Sequence, residues 1–269
     1  MLRRDFILGT AGVLVTAGCG SPPIGPGGVD PPPEPTPTPS PTPPAPPPTL
    51  RISRILAFGD SMTAGTTSVP ISTLAALALD AGLSSSYPNK LQLLLAARYS
   101  GQTISVFNGG IAGRKVTDTG ERERLSRLVR DNSPELVILL EGANDLNNVT
   151  GPSTNDYINF VVGNMEDMVK EMMARNTPVF VATLPEQRPG QPNTQNAALV
   201  PRYNSALRVM ADKKGGILID LNAQFPLSLI GQDGLHPTES GYQKFAEIFA
   251  EAIRARYESA PAVTSLSSR

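Results

Sequence analysis

The chain has 269 residues, with 23 Lys and Arg against 24 Asp and Glu and a formal net charge of −1, and its charges are interspersed. Nothing marks a basic nucleic-acid surface, so nucleic acid is not expected as a partner. With one Cys and one His the chain cannot build the thiolate and imidazole clusters that hold zinc or iron, and no carboxylate cluster asks for a hard cation, so neither metal nor cofactor is expected.

Residues 1–19 read as an export signal: a positive start at Arg3 and Arg4, a short apolar run from Gly9 to Ala17, then small residues before Cys19. About a dozen apolar residues fall short of the ~20 needed to span a bilayer as a helix. Arg3-Arg4-Asp5-Phe6-Ile7 resembles a twin-arginine pattern, and Thr16-Ala17-Gly18-Cys19 resembles a lipobox in which Cys19 would be lipidated, although Thr16 stands where a large aliphatic residue is usual. These resemblances imply a periplasmic or cell-envelope lipoprotein of a bacterium, tied to a membrane by its N-terminal lipid alone; the alternative is plain secretion. Residues 20–50 form a linker dominated by proline, which fixes φ and removes amide donors, so the segment extends as polyproline II instead of packing.

From residue 51 to 258 the order alternates between strand and helix, and residues 259–269 read as a flexible tail. Five short apolar runs predict strands: Ile52 to Phe58, Thr103 to Phe107, Leu136 to Leu140, Val179 to Thr183 and Ile217 to Ile219. Their continuous apolarity suits a parallel sheet covered on both faces. Helical spacing appears over Tyr87 to Tyr99, Gly120 to Asp131, Tyr157 to Arg175, Val200 to Lys213 and Ser240 to Tyr257; the third carries Phe160, Val161, Met165, Met168, Val169 and Met172, its methionines as core filler. The expected fold is therefore α/β, a three-layer doubly wound (flavodoxin-like) domain with a parallel sheet of about five strands. Ligands of such folds sit at the carboxyl ends of the strands, where Ser61, Gly110 and Asn144 fall. Residues 66–86 form an insertion that reads equally as a lid and as a packing helix, and residues 185–198 read as a second long loop at the same edge.

Four blocks carry the chemistry: Gly59-Asp60-Ser61-Met62, Asn108-Gly109-Gly110-Ile111-Ala112-Gly113, Gly142-Ala143-Asn144-Asp145 and Asp233-Gly234-Leu235-His236-Pro237. In this order, with the only histidine in the last, they resemble the SGNH (GDSL-type) hydrolase superfamily, and more narrowly its bacterial esterase, thioesterase and lysophospholipase branch. The resemblance implies a carboxylic ester hydrolase with catalytic residues Ser61, Asp233 and His236. Ser61 would attack, His236 would take its proton, and Asp233 would orient the ring. It also implies an oxyanion hole built from the Ser61 amide, the Gly110 amide and the Asn144 side chain.

Asp60 reads as a structural acid holding the turn, Asp145 as a support for Asn144, Gly109 and Gly113 as turn glycines, and Pro237 as the start of the last helix. Arg114 and Lys115 place two positive charges near the site, more in keeping with a solvated loop than with an anion site. The expected substrates are small-molecule, lipid or carbohydrate esters: a short acyl ester or thioester, a lysophospholipid, or an acetyl group on a polysaccharide. The absence of Trp tips the reading toward acyl esters. Carbohydrate O-acetylesterase is the alternative, and a non-catalytic surface binding module a further one.

Overall fold

A run such as Leu136–Leu140 has no polar face to offer water, so the sheet it joins must be covered on both sides. The computed structural model describes residues 47–66, 86–147, 149 and 154–259 and shows this arrangement. In chain order the elements are β1 (Thr49–Leu50), β2 (Arg54–Gly59), α1 (Ser61–Ala64), α2 (Tyr87–Arg98), β3 (Ser105–Gly110), α3 (Glu121–Asn132), β4 (Leu136–Leu140), α4 (Ala143–Asn147), α5 (Thr154–Ala174), β5 (Val179–Ala182), α6 (Val200–Lys214), β6 (Ile217–Ile219), α7 (Leu221–Gln224), α8 (Glu239–Tyr257) and β7 (Glu258–Ser259). The export signal with Cys19, the linker up to residue 46, the heart of the insertion (67–85) and the tail from residue 260 lie outside the described residues.

Five parallel strands form the sheet in the order β3-β2-β4-β5-β6. The chain steps from β2 to one side, returns to the other side for β4 and then continues outward, so the winding direction switches at β2. A crevice opens at the carboxyl ends of strands flanking such a switch. Helices α2 and α8 pack together as one group, and α5 packs on α6 and α3 as another. Aromatic rings anchor α8: Tyr87 and Phe249 lie 4.9 Å apart, and Phe225 and Phe245 meet edge to face at 4.6 Å.

Three details differ from the expectation. Strands β2 and β3 begin and end two or so residues later than their apolar runs, because register decides the pairing: the ladder runs from Arg54 opposite Ser105 to Gly59 opposite Gly110. Ile52 and Ile104 are buried without belonging to a strand. Phe160, on the same helical spacing as the buried residues of α5, is 57 % exposed, while Val161 and Met165 are fully buried.

The domain also begins before residue 51 and runs past 258, since Thr49 and Leu50 pair antiparallel with Ser259 and Glu258. Among the described residues no helix is long and apolar enough to cross a membrane.

Candidate active site

Strand β2 delivers its last residues to the switch point, and the chain turns at once into α1. Asp60 caps that short helix, its Oδ1 accepting the Met62 N–H at 2.9 Å, so the expectation of a turn-holding acid is met. Ser61 follows as the first residue of α1. A side chain at Gly110 would run into the backbone of Thr63 and Ala64, so glycine there lets α1 lie directly on the end of β3.

The second contribution comes from the loop before α8. Gly234 turns it with φ +77°, and the loop is fastened by Gly231 N–H to the His236 carbonyl (2.8 Å) and Thr238 N–H to the Leu229 carbonyl (2.8 Å). Pro237 does not start the last helix. It bridges to Ile230, and Thr238 caps α8 instead, its Oγ1 accepting Gly241 N–H at 3.1 Å. The 185–198 loop lies at this edge, as expected. Arg188 accepts the role of clasp, its N–H donating to the Gly234 carbonyl (2.9 Å) and its guanidinium to the carbonyls of Ile230 (3.0 Å) and Gly231 (3.2 Å).

These two segments, 175 residues apart in the chain, bring three side chains into series. His236 Nε2 lies 2.8 Å from Ser61 Oγ, and His236 Nδ1 lies 2.6 Å from Asp233 Oδ2. Asp233 Oδ1 accepts the N–H groups of Leu235 and His236, each at 3.0 Å. Burial would raise the Asp233 pKa, but the bonds from the His236 ring and from these two amides outweigh it and hold the carboxyl below its ordinary value. An ionised carboxylate thus faces Nδ1, and the ring's other nitrogen faces the hydroxyl.

The remaining site residues need finer description. Asn144, in α4 just beyond β4, donates from Nδ2 to the Arg114 carbonyl at 2.9 Å and to Asp60 Oδ2 at 3.4 Å. Gly110 N–H donates to Asn108 Oδ1 at 3.0 Å, so the amide expected to meet an oxyanion already has a partner. Gly113 is a turn glycine with φ +80°, in the turn closed by Arg114 N–H to the Ile111 carbonyl.

Asp145 is bound to the segment that follows Arg114, whose carbonyl Asn144 holds. Fully buried, it accepts from Val116 N–H (2.9 Å), Thr117 N–H (3.2 Å) and Thr117 Oγ1 (2.8 Å), strapping the segment after Arg114 to α4. Arg114 is itself matched by Glu121 at 3.2 Å and Asp118 at 3.7 Å, so its charge is balanced within the protein.

Sequence reasoning missed what lies beneath. Glu121, Arg124 and Glu141 are buried below the site along with Asp60. Burial pushes Asp60 up to about 7, with the nearby Asp145 and Glu121 carboxylates adding to the effect and the Met62 amide opposing it. Burial and the Glu121 carboxylate likewise hold Glu141 well above the ordinary range. The legible signal was the i, i+3 spacing of Glu121 and Arg124 in the first turn of a helix whose buried face goes on with Leu125, Ser126 and Val129. Among the described residues no group of three or more His, Cys, Asp or Glu side chains is arranged to hold a metal ion.

A parallel sheet wound in this order, with hydroxyl, imidazole and carboxylate in series at its carboxyl edge, is the architecture of an α/β hydrolytic enzyme. The chain belongs to the GDSL-like lipase/acylhydrolase family, whose sequence model matches residues 57–244.

It is 26 % identical over 160 residues to a multidomain esterase of Ruminococcus flavefaciens, a match covering 58 % of this chain and 20 % of that protein. The chain therefore spans about a fifth of that relative's length. Among solved structures, a lipase/acylhydrolase from Enterococcus faecalis superposes with a TM-score of 0.60 at 22 % identity, covering 78 % of this chain and 98 % of that one. An acetylxylan esterase from Geobacillus stearothermophilus gives a TM-score of 0.58 at 22 % identity, covering 76 % and 96 %. At that identity the likeness speaks for the fold.

Proposed function

We propose that the protein hydrolyses carboxylic esters through a seryl acyl-enzyme, with Ser61 as nucleophile, His236 as general base and then acid, and Asp233 as the carboxylate that orients the ring. The observation that carries this reading is the unbroken series Ser61 Oγ, His236 Nε2 and Nδ1, Asp233 Oδ2, with steps of 2.8 and 2.6 Å. A serine hydroxyl is a weak nucleophile alone. As Ser61 attacks the acyl carbon, Nε2 takes its proton and the imidazolium is stabilised by the ionised Asp233. The same proton then goes to the leaving alcohol, and water repeats the cycle to release the acid.

For the oxyanion, the reading assigns the Ser61 amide, the Asn144 carboxamide and a glycine amide from the 110–113 segment. Service by Gly110 requires that its N–H leave Asn108 Oδ1. Gly113, adjacent to the Arg114 carbonyl that Asn144 holds, is the other donor within this segment. Asp60 is assigned no proton transfer, since it is bound into the cap of α1.

A fluorophosphonate probe is expected to label Ser61. A Ser61→Ala protein that still turns over p-nitrophenyl acetate would remove the mechanism. For substrate the proposal is a small acyl ester, thioester or lysophospholipid. An O-acetylated carbohydrate is the second reading, favoured by the likeness to the Geobacillus acetylxylan esterase. Rates on a chain-length series of acyl esters, compared with lysophospholipid and acetylated xylan, separate the two. The twin-arginine and lipobox resemblances of the N-terminus support export to the bacterial cell envelope, with Cys19 as the lipidated residue. Mass spectrometry of the membrane fraction after globomycin treatment tests it: a Cys19 without lipid would overturn this part alone.

A further inference from the structure

Parallel strands run out of ladder partners at their carboxyl ends, and buried carbonyls left there need donors from elsewhere. Beneath this site one side chain supplies them. Arg124 extends from the first turn of α3 and is 4 % exposed. Its guanidinium lies over the Phe58 ring, 3.9 Å from the centroid. From there Nη2 donates to the Gly59 carbonyl at 3.3 Å, at the end of β2, and Nη1 donates to the Gly109 carbonyl, near the end of β3. Nη2 also stands 3.5 Å from Glu141 Oε1, in the residue after β4. Glu121 holds the group from its own helix, accepting from Nε at 3.0 and 3.1 Å.

Each of these three strand ends leads into one part of the site: β2 into Ser61, β3 into the 110–113 segment, β4 into Asn144. The Gly59 carbonyl also accepts Ile111 N–H at 3.1 Å, tying the first two parts to each other.

We infer that Arg124 is a positioning residue for ester hydrolysis: one buried guanidinium ties the ends of β2 and β3 together, stands against the residue after β4, and thereby lines up Ser61, the 110–113 segment and Asn144. The inference rests on the ester-hydrolase reading above. Its physical basis is the planar fork of arginine, which can donate to several carbonyls at fixed angles where lysine, a compact point charge with three rotatable donors, reaches fewer of them. Burial of the cation is tolerable because Glu121 balances it at hydrogen-bond distance.

The test uses the full chain with p-nitrophenyl acetate. Arg124→Lys is expected to lower kcat ~10- to 100-fold, the scale of a misplacement near 1 Å, with KM within ~3-fold of wild type. Fluorophosphonate labelling of Ser61 is expected to slow by the same factor, while circular dichroism at the assay temperature stays that of the folded protein.

A Lys variant with wild-type kcat, or one that raises KM alone, would overturn the inference. Should that variant not fold, Glu121→Gln keeps the fork and loosens its hold; a ~3- to 10-fold lower kcat at unchanged KM is then expected, and wild-type kcat is the overturning result. A wild-type protein that neither cleaves the ester nor takes the label would instead sink the underlying reading.

Discussion

Asp233, in the loop before α8, and Asp60, in the turn before α1, are the same side chain in two regions of one site, and they are held in opposite ways. Asp233 is partly open to solvent, with 21 % of its side chain exposed, and it accepts from two amides and an imidazole. Asp60 is fully buried, receives the Met62 amide at 2.9 Å and the Asn144 carboxamide at 3.4 Å, and has other acids nearby. Burial disfavours charge in both. At Asp233 three donors outweigh it, and at Asp60 they do not. The lesson is that nearness to the serine does not choose the working acid. In the proposed mechanism the number of donors and the neighbouring charges do, and they hold Asp233 as the anion proposed to face an imidazolium.

The sharpest way to break this contrast is to remove the relay. Ser61→Ala is expected to lower kcat on p-nitrophenyl acetate on the order of 10⁵-fold or more, measured against a wild type titrated with fluorophosphonate. Asp233→Asn keeps shape while removing the charge and the preferred tautomer. A fall of roughly 10⁴-fold is expected, and an unaltered rate would transfer the role to another acid. Next comes Asn144→Ala, expected to reduce kcat ~10²- to 10³-fold with KM little changed; a mild effect would mean that other donors serve the oxyanion.

The smallest effect concerns pH and stability. The folded-state pKa of Asp60 is raised from 3.8 to about 7. Between those values the native protein binds the proton that the unfolded chain has released, so Asp60's contribution to stability is complete below the lower value and is lost as pH rises through the upper one. Asp60→Asn retains an oxygen for the Met62 amide and cannot titrate. The melting temperature of the wild type should therefore fall relative to the variant over that window. Parallel curves would place Asp60's proton elsewhere.

Much of the site was legible before any coordinates. Asp233 and His236 share one motif three residues apart before the last helix, and Ser61 stands in a motif whose position at a strand end follows from a hydrophobic run. Asn144 falls beyond β4 for the same reason.

Other features depended on partners far away in the chain. Asp145 is adjacent to Asn144 in sequence, yet its oxygens serve Val116 and Thr117 across the crevice. Pro237 carries a fixed φ suited to a helix start, but the bridge to Ile230 draws it out of the helix and leaves the cap to Thr238.

The amino-acid sequence by itself determined the doubly wound order and the chemistry at the strand ends. Hydrophobic period, turn residues and a single imidazole are local properties that no fold has to supply. Tertiary structure alone decided which carboxylates are charged, and it alone gathered Glu121, Arg124 and Glu141 beneath Ser61. Burial, and the distance between groups remote in the chain, come into being only when the layers close, and electrostatic interaction depends on both.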